Sequence, residues 1–142
     1  MDTISFEKIW EDVDFFQIQI SVKTENIQVR TKIYTDIESI KRLSQKISTF
    51  PQNSADKFVW GNGEGGDDST SCVSLEFWCE DELGHILVEV YLELEDGIPY
   101  GKYNCRFLIK TEIGLLSSFG KSLPILNRQG VGQRVILNKT SE

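Results

Sequence analysis

Hydrophobic and polar residues alternate along several stretches of the chain, which is the two-residue period of a β-strand with one buried face. The first clear case runs from Asp14 to Tyr34, where two alternating segments flank Glu25-Asn26. A tight turn there would place Val22 opposite Val29 and keep the apolar side chains of both segments on one side. The pattern therefore predicts a β-hairpin.

The period changes to three and four residues after this hairpin. Apolar residues then form a single stripe at Ile37, Ile40, Leu43, Ile47 and Phe50. Thr35 and Glu38 have the spacing of a capping box, and Pro51 cannot continue a helix. The segment predicts a helix over residues 36–50.

Three further alternating segments lie near residues 73–80, 86–95 and 103–110, and each predicts a strand. The short loops at 81–84 and 97–102 predict their register. They pair Glu76 with Glu89, Trp78 with Leu87, Glu89 with Lys110, Tyr91 with Leu108 and Glu93 with Arg106. A shorter helix is expected over 112–122. Phe58-Val59-Trp60 and Val135-Ile136-Leu137 are candidates for additional short strands.

The order of the main elements is β-β-α-β-β-β-α. Hairpins joined in this way predict an α+β fold, in which a single antiparallel sheet of about five strands carries both helices on one face. A length of 142 residues favours one domain over 1–142. We expect a mobile, glycine-rich acidic loop at 61–70 and a basic C-terminal tail at 127–142.

Charge is unevenly distributed along the chain, whose net charge is −7. Residues 1–55 are nearly balanced, residues 56–96 carry 12 acidic side chains against 1 basic one, and residues 97–142 carry 2 against 7. Phosphate backbones are bound by clustered Lys and Arg, so we expect no nucleic-acid partner and instead a basic protein partner. With no long apolar run and no leader-like N-terminus, we expect a cytoplasmic protein with no membrane partner.

The sequence offers no convincing catalytic, metal or cofactor site. The glycine-rich segment lacks the Gly-Lys-Ser/Thr ending of a phosphate-binding loop. His85 is the only histidine and sits at an expected hairpin end between acidic residues, and the three cysteines form no Cys-x-x-Cys motif. We therefore expect a protein that is not an enzyme and has no catalytic residues, no metal and no cofactor.

The outward face of the three central strands is the candidate binding site. It carries Glu76, Trp78, Glu89, Tyr91 and Glu93, and aromatic side chains among polar groups are typical of protein interfaces. Three other interpretations stay open. The face is a charge ladder exposed to solvent, or it is covered by the N-terminal segment around Trp10 or by the tail, or it pairs with itself in a homodimer.

The segment from Phe58 to Leu123 also resembles an uncharacterised bacterial domain family, one similar to the small acidic immunity proteins of polymorphic-toxin systems. The runs that carry the resemblance are Phe58-Val59-Trp60-Gly61, Leu75-Glu76-Phe77, Gly84-His85-Ile86-Leu87-Val88-Glu89-Val90 and Leu115-Leu116-Ser117-Ser118-Phe119. The resemblance implies a partner-binding role and brings no catalytic residues with it.

Two functional hypotheses result. The leading one is a non-enzymatic protein-binding module, an immunity protein or an inhibitor that caps a basic toxin or effector domain. The alternative is a small-ligand-binding or minor enzymatic domain that uses a pocket between the helices and the sheet.

Overall fold

The computed structural model describes residues 2–62, 72–95 and 102–138. Within them, the chain forms eight strands, two α-helices and one 3₁₀ helix. In chain order these are β1 (Thr3–Glu11), β2 (Phe16–Lys23), β3 (Gln28–Thr35), α1 (Ile37–Thr49), β4 (Lys57–Asn62), β5 (Val73–Cys79), β6 (His85–Glu95), β7 (Lys102–Glu112), α2 (Ile113–Ser122), the 3₁₀ helix (Leu123–Asn127) and β8 (Arg134–Leu137).

The strands form two antiparallel sheets of four strands each. Sheet I has the order β3-β2-β1-β8, and sheet II has the order β4-β5-β6-β7. The α+β class is confirmed, but the prediction of a single sheet of about five strands with both helices on one face is wrong. The N-terminal segment forms β1, which pairs with β2 on one side and with β8 on the other. The β2–β3 hairpin therefore lies in a different sheet from β5, β6 and β7.

The registers of two hairpins agree with the sequence-based prediction. Val22 lies opposite Val29 in β2–β3, and Glu76 lies opposite Glu89 in β5–β6. The predicted β6–β7 register is wrong by two residues, because Glu89 pairs with Leu108 and Tyr91 pairs with Arg106. A shift of two residues leaves every side chain on its predicted face, since the side chains of a strand alternate with a period of two.

One hydrophobic core receives the inner faces of both sheets and the apolar stripes of the helices. Phe6 on β1 shows this directly. Its ring stacks on Trp60 of β4 with the centroids 5.7 Å apart, and it meets Phe119 of α2 edge-on at 5.5 Å. Sheet I, sheet II and α2 therefore share a single buried contact at this side chain.

Helix α1 begins at a different cap from the predicted one. The side chain of Asp36, rather than that of Thr35, accepts a hydrogen bond from the backbone N–H of Ser39 at 2.8 Å. Thr35 is instead the last residue of β3, where it is buried. A residue committed to a strand and to the core is not available as a helix cap, so the capping-box prediction is wrong.

The two sheets are joined at a corner by the buried side chain of Asn138, which follows β8. Its amide nitrogen donates to the carbonyl oxygens of Asp2 (2.9 Å) and Lys110 (2.8 Å), and its amide oxygen accepts from the Thr111 hydroxyl at 2.6 Å. Asn138 has a φ of 64°, in the left-handed region that asparagine tolerates better than most residues. The start of β1, the end of β7 and the end of β8 thus converge on one amide.

Three sequence-based expectations fall partly outside the described residues. The glycine-rich loop predicted at 61–70 is described only at Gly61 and Asn62, which belong to β4. The loop predicted at 97–102 is described only at Lys102, which begins β7. The tail predicted at 127–142 is described as far as Asn138 and contains β8, so its Val135-Ile136-Leu137 segment is a strand as expected. In the described part of the chain, no helix has the length and apolar character needed to cross a membrane.

The Asn138 corner yields a test with two matched variants. Asn138→Gly keeps a backbone that accepts φ of 64° but removes the three hydrogen bonds, so we expect the free energy of unfolding to fall by about 2–4 kcal/mol. Asn138→Ala adds the strain of a left-handed conformation and should cost about 1 kcal/mol more. Urea unfolding measures both, and a neutral Asn138→Gly would show that the corner does not stabilise the fold.

The contact between α1 and α2 gives a second test, with an internal control. A Cβ atom at Gly120 would lie 2.5 Å from Cγ2 of Ile47, whereas a Cβ atom at Gly114 would meet nothing within 4 Å. We expect Gly120→Ala to lower the free energy of unfolding by about 1–3 kcal/mol. Gly114→Ala should raise it by up to about 1 kcal/mol, because alanine favours the helix. Equal effects in thermal unfolding would contradict the close packing of the helices.

Candidate functional site

The outer face of sheet II, here called the Trp78 face, contains all five of the predicted site residues. Its described side chains include Val59, Glu76, Trp78, Leu87, Glu89, Tyr91, Glu93, Arg106, Leu108 and Lys110, which occupy the outward positions of β4 to β7. The alternate positions on the same strands, such as Phe77 and Val88, point into the core. The pairing of β5 with β6 places Glu76 beside Glu89 and Trp78 beside Leu87.

The Trp78 face is partly accessible. Trp78 and Tyr91 are half-buried, while Val59 and Leu108 are each 53% exposed. The N-terminal segment does not cover this face, because β1 lies in sheet I and its Phe6 packs into the core. Two half-buried aromatic side chains and two exposed aliphatic ones therefore lie on a sheet face that also carries charges.

Arg106 contacts two other side chains near the centre of the Trp78 face, Glu89 and Tyr91. Its guanidinium donates to the Glu89 carboxylate at 2.5 Å and lies 4.8 Å from the centre of the Tyr91 ring. The hydrogen bond to Glu89 raises the pKa of Arg106 above its usual value. The Tyr91 hydroxyl donates to Glu93 at 2.7 Å, and this bond raises the pKa of Tyr91.

Two other cations contribute to the charge balance of the face. Lys57 lies 3.9 Å from Glu76, and Lys110 lies 3.4 Å from Glu80 at the end of β5. Sequence reasoning did not assign Lys57 to the face, although its place before the Phe58-Val59-Trp60 strand was a usable signal. The carboxylates of the central strands are thus largely matched by Arg and Lys, as a charge ladder requires.

Among the described residues, further acidic side chains lie at the end of the face, in the turn between β5 and β6. Glu80, Asp81 and Glu82 occupy this turn, and Glu112 ends β7 opposite His85. The Nδ1 atom of His85 lies 2.6 Å from the Asp81 carboxylate, which raises the pKa of the imidazole and lowers that of Asp81. Both side chains are exposed, so the pair stabilises a turn at the protein surface.

Two clefts are the candidate small-ligand sites. One, of about 560 Å³, is lined by Arg42 and Lys46 of α1 and by residues of sheet II that include Tyr91 and Glu93. The other, of about 420 Å³, is lined by residues that include Lys8, Glu11 and Asn127. In the second cleft the buried Lys8 ammonium donates to the Glu11 carboxylate (2.6 Å) and to the Arg128 carbonyl oxygen (2.8 Å). These three groups are therefore already engaged with one another and not with a ligand.

Metal ligands do not converge in the part of the molecule that the structure describes. Among residues 2–62, 72–95 and 102–138, no three His, Cys, Asp or Glu side chains are placed to hold a metal ion. Of the three cysteines, Cys72 is buried and the other two are half-buried. Burial raises the pKa of the thiols of Cys79 and Cys105, which makes both weaker nucleophiles at neutral pH.

Known proteins offer few comparisons. No protein-family model matches the chain, and no curated protein matches it. Among solved structures, the chain is similar to the plant transcriptional regulator PBF-2, with 10% identity and a TM-score of 0.45 over 87% of this chain and 74% of that one. It is also similar to WHY3 from Arabidopsis thaliana, with 12% identity and a TM-score of 0.40 over 87% of this chain and 80% of that one.

The similarity to these solved structures corrects the prediction that the chain has no nucleic-acid partner. A structurally similar chain is a transcriptional regulator, so the exclusion does not stand. Its weakness is physical, because charge counted along sequence segments ignores the alternation that sends successive strand residues to opposite faces. The similarity itself assigns no ligand to this chain.

The pair formed by His85 and Asp81 has a measurable pH dependence. We expect Asp81→Asn to lower the pKa of His85 towards its ordinary value of about 6.5, because the charged partner is removed. A His85 pKa that is raised in the folded state stabilises the protein below the unfolded value, and that contribution disappears as the pH rises through the folded value. An NMR titration of the imidazole measures the shift. Glu82→Gln is the control and should have little effect, whereas an unchanged pKa in Asp81→Asn would contradict the pairing.

Proposed function

We propose that this chain is a non-enzymatic protein-binding module that docks a basic protein on the Trp78 face, as an immunity protein or inhibitor of a toxin or effector domain would. The observation that carries the proposal is the combination of Trp78 and Tyr91 with exposed aliphatic side chains on one open sheet face. Aromatic anchors inside a polar rim are typical of the energetic centre of protein interfaces.

The charges around these anchors favour a basic partner. The acidic turn at residues 80–82 borders the apolar row, and Glu89 and Glu93 lie within it. Arg106 forms an ion pair with Glu89 in the free protein. A basic side chain of the partner would therefore compete with Arg106 for the Glu89 carboxylate. Negative potential at the rim would steer association, and burial of Trp78 would retain the complex.

The proposal predicts opposite kinetic effects for removing negative and positive charges on the Trp78 face. Glu89→Gln and Glu93→Gln should each lower the association rate constant and weaken its dependence on salt, because each removes a negative charge that attracts a basic partner. Arg106→Gln should raise the association rate constant, because it removes an internal competitor and a repelling charge. The measurement is surface plasmon resonance at several salt concentrations, with a partner captured from the native host and purified. Rates that change in the same direction in all three variants would contradict a basic partner.

The aromatic anchor is tested by a pair of tryptophan variants. Trp78→Ala should raise the dissociation rate constant and cost about 2 kcal/mol or more of binding free energy. Trp10→Ala is the matched control, because Trp10 is 42% exposed on sheet I, and it should leave binding to this partner unchanged. A thermal unfolding measurement on each variant checks that it is folded. Unchanged affinity across Trp78→Ala, Tyr91→Ala and substitutions at Glu76, Glu89 and Glu93 would place the binding surface elsewhere.

The cleft between α1 and sheet II supports the second candidate function, the binding of a small anionic ligand. Arg42 and Lys46 place two cations in the lining of this cleft of about 560 Å³, together with Tyr91 and one carboxylate, Glu93. Native mass spectrometry of the purified protein would detect a retained metabolite. A metabolite that is absent from Arg42→Gln, with no protein partner captured, would favour this second candidate over the first.

A further inference from the structure

The outer face of sheet I, here called the Trp10 face, carries exposed aromatic and cationic side chains that have no role in the two functions proposed above. At one end of it, Trp10, Phe15 and Tyr34 are 42%, 41% and 57% exposed. Their rings contact one another with centroids 5.5–6.0 Å apart. Three large aromatic side chains packed together at the surface, instead of in the core, form a platform that still has ring surface open to solvent.

Cations continue outward from this platform along β3. Tyr34, Lys32 and Arg30 point to the same side of the strand, at successive intervals of about 6.5 Å. Arg30 and Lys32 are exposed, and none of the ion pairs found among the described residues involves either of them. An aromatic side chain is thus followed by two cations along one strand at the edge of sheet I.

The charge of the Trp10 face is opposite in sign to that of the chain. Its outward positions carry Lys23, Arg30, Lys32 and Arg134 against one carboxylate, Glu7. Two carboxylates near the aromatic platform are already engaged. Glu11 binds Lys8 and accepts from the Gly130 N–H at 2.6 Å, and Asp12 accepts the N–H groups of Asp14 and Phe15 at 2.9 Å.

From this arrangement we infer that the Trp10 face binds single-stranded RNA, with bases stacked on the aromatic platform and the phosphate backbone following Lys32 and Arg30. Aromatic side chains that stack bases beside a line of cations are the common elements of single-strand recognition. Duplexes do not suit this face, because their bases are already stacked on one another and cannot reach the platform.

The polar residues of the face favour RNA over DNA. Gln17 lies opposite Tyr34, Gln19 lies opposite Lys32, and Ser21 lies opposite Arg30. Their amide and hydroxyl groups both donate and accept hydrogen bonds, as the ribose 2′-hydroxyl does. These neutral groups lie directly beside the cations, where the sugars of a bound strand would pass.

Fluorescence anisotropy with a labelled uridine oligonucleotide of about 12 nucleotides tests the inference, because that length matches the size of a small single-strand site. We expect binding near 50 mM salt, weaker binding to the thymidine DNA oligonucleotide of the same length, and weaker binding still to duplex RNA. The inference is overturned by absence of binding at this salt concentration, by equal or tighter binding of DNA or duplex, or by equal competition from a polyglutamate peptide. The last result would show a surface that recognises only negative charge.

Substitutions separate stacking from charge. Tyr34→Leu keeps an apolar side chain against Trp10 and Phe15 but removes a stacking ring, so the affinity should fall about fivefold or more. The double variant Arg30→Gln and Lys32→Gln should reduce the salt dependence, by about 0.7 in slope for each phosphate that the protein no longer neutralises. Lys41→Gln and Lys121→Gln, at exposed positions on the helices, are controls and should bind as the unaltered protein does. Binding that is unaffected by both Trp10-face variants would overturn the inference.

The two surfaces can be tested independently. Trp78→Ala should leave RNA binding unchanged, and Tyr34→Leu should leave binding of a basic protein to the Trp78 face unchanged, because the two residues lie on the outer faces of different sheets. Loss of RNA binding in Trp78→Ala, with a folded protein, would overturn the assignment to the Trp10 face. Failure of the protein-binding proposal would leave the RNA experiment unaffected.

Discussion

The convergence of three strand ends on the side chain of Asn138 is the constraint on which the arrangement of the two sheets depends. One amide satisfies the carbonyl oxygens of Asp2 and Lys110 and the hydroxyl of Thr111, at the corner where β1 and β8 of sheet I meet β7 of sheet II. Buried polar groups tolerate few alternative partners, so a satisfied network of this kind selects one relative placement of the elements it joins. With the corner in place, Phe6 can contact Trp60 and Phe119 at once, and each sheet keeps one face inside and one face outside.

This placement determines which charges act together. The chain as a whole is acidic, with a net charge of −7, yet the outer face of sheet I presents four cations and one carboxylate. Among the described residues, Lys57 and Arg106 pair with Glu76 and Glu89 on the outer face of sheet II, and Lys110 pairs with Glu80 in the acidic turn at residues 80–82. Electrostatic steering depends on the charge of a face and not on the charge of a segment. Two surfaces of different chemistry therefore coexist on one small protein.

Local periodicity predicted β2, β3, β5, β6 and β7, both α-helices and the side of each of these strands that faces the core. It offered β4 and β8 only as candidate strands and did not predict β1. Val22, Phe77 and Val88 lie inside as their alternation indicated, and all five candidate residues of the Trp78 face lie outside. Partition into two sheets was not predictable in the same way, because it depends on β1 and β8, which pair across almost the whole length of the chain. The β6–β7 register depends on a loop that the alternation does not define, and a shift of two residues satisfies the same hydrophobic pattern. Long-range pairing thus decided the partition into two sheets, whereas the register of the local β6–β7 hairpin was left open by its hydrophobic pattern.

The β6–β7 register also decides which side chains meet on the Trp78 face. With Tyr91 opposite Arg106, the guanidinium can lie over the ring and reach Glu89 on the same strand as Tyr91. The predicted register would have placed Arg106 opposite Glu93, and Tyr91 would have had Leu108 as its neighbour. In the observed arrangement one cation contacts both an aromatic side chain and a carboxylate. A partner that offers its own cation to Glu89 must exchange it for Arg106, so part of the Coulomb energy is offset by the face itself. If the proposed partner docks there, selectivity would depend chiefly on how well that partner fits Trp78 and the exposed aliphatic side chains beside it.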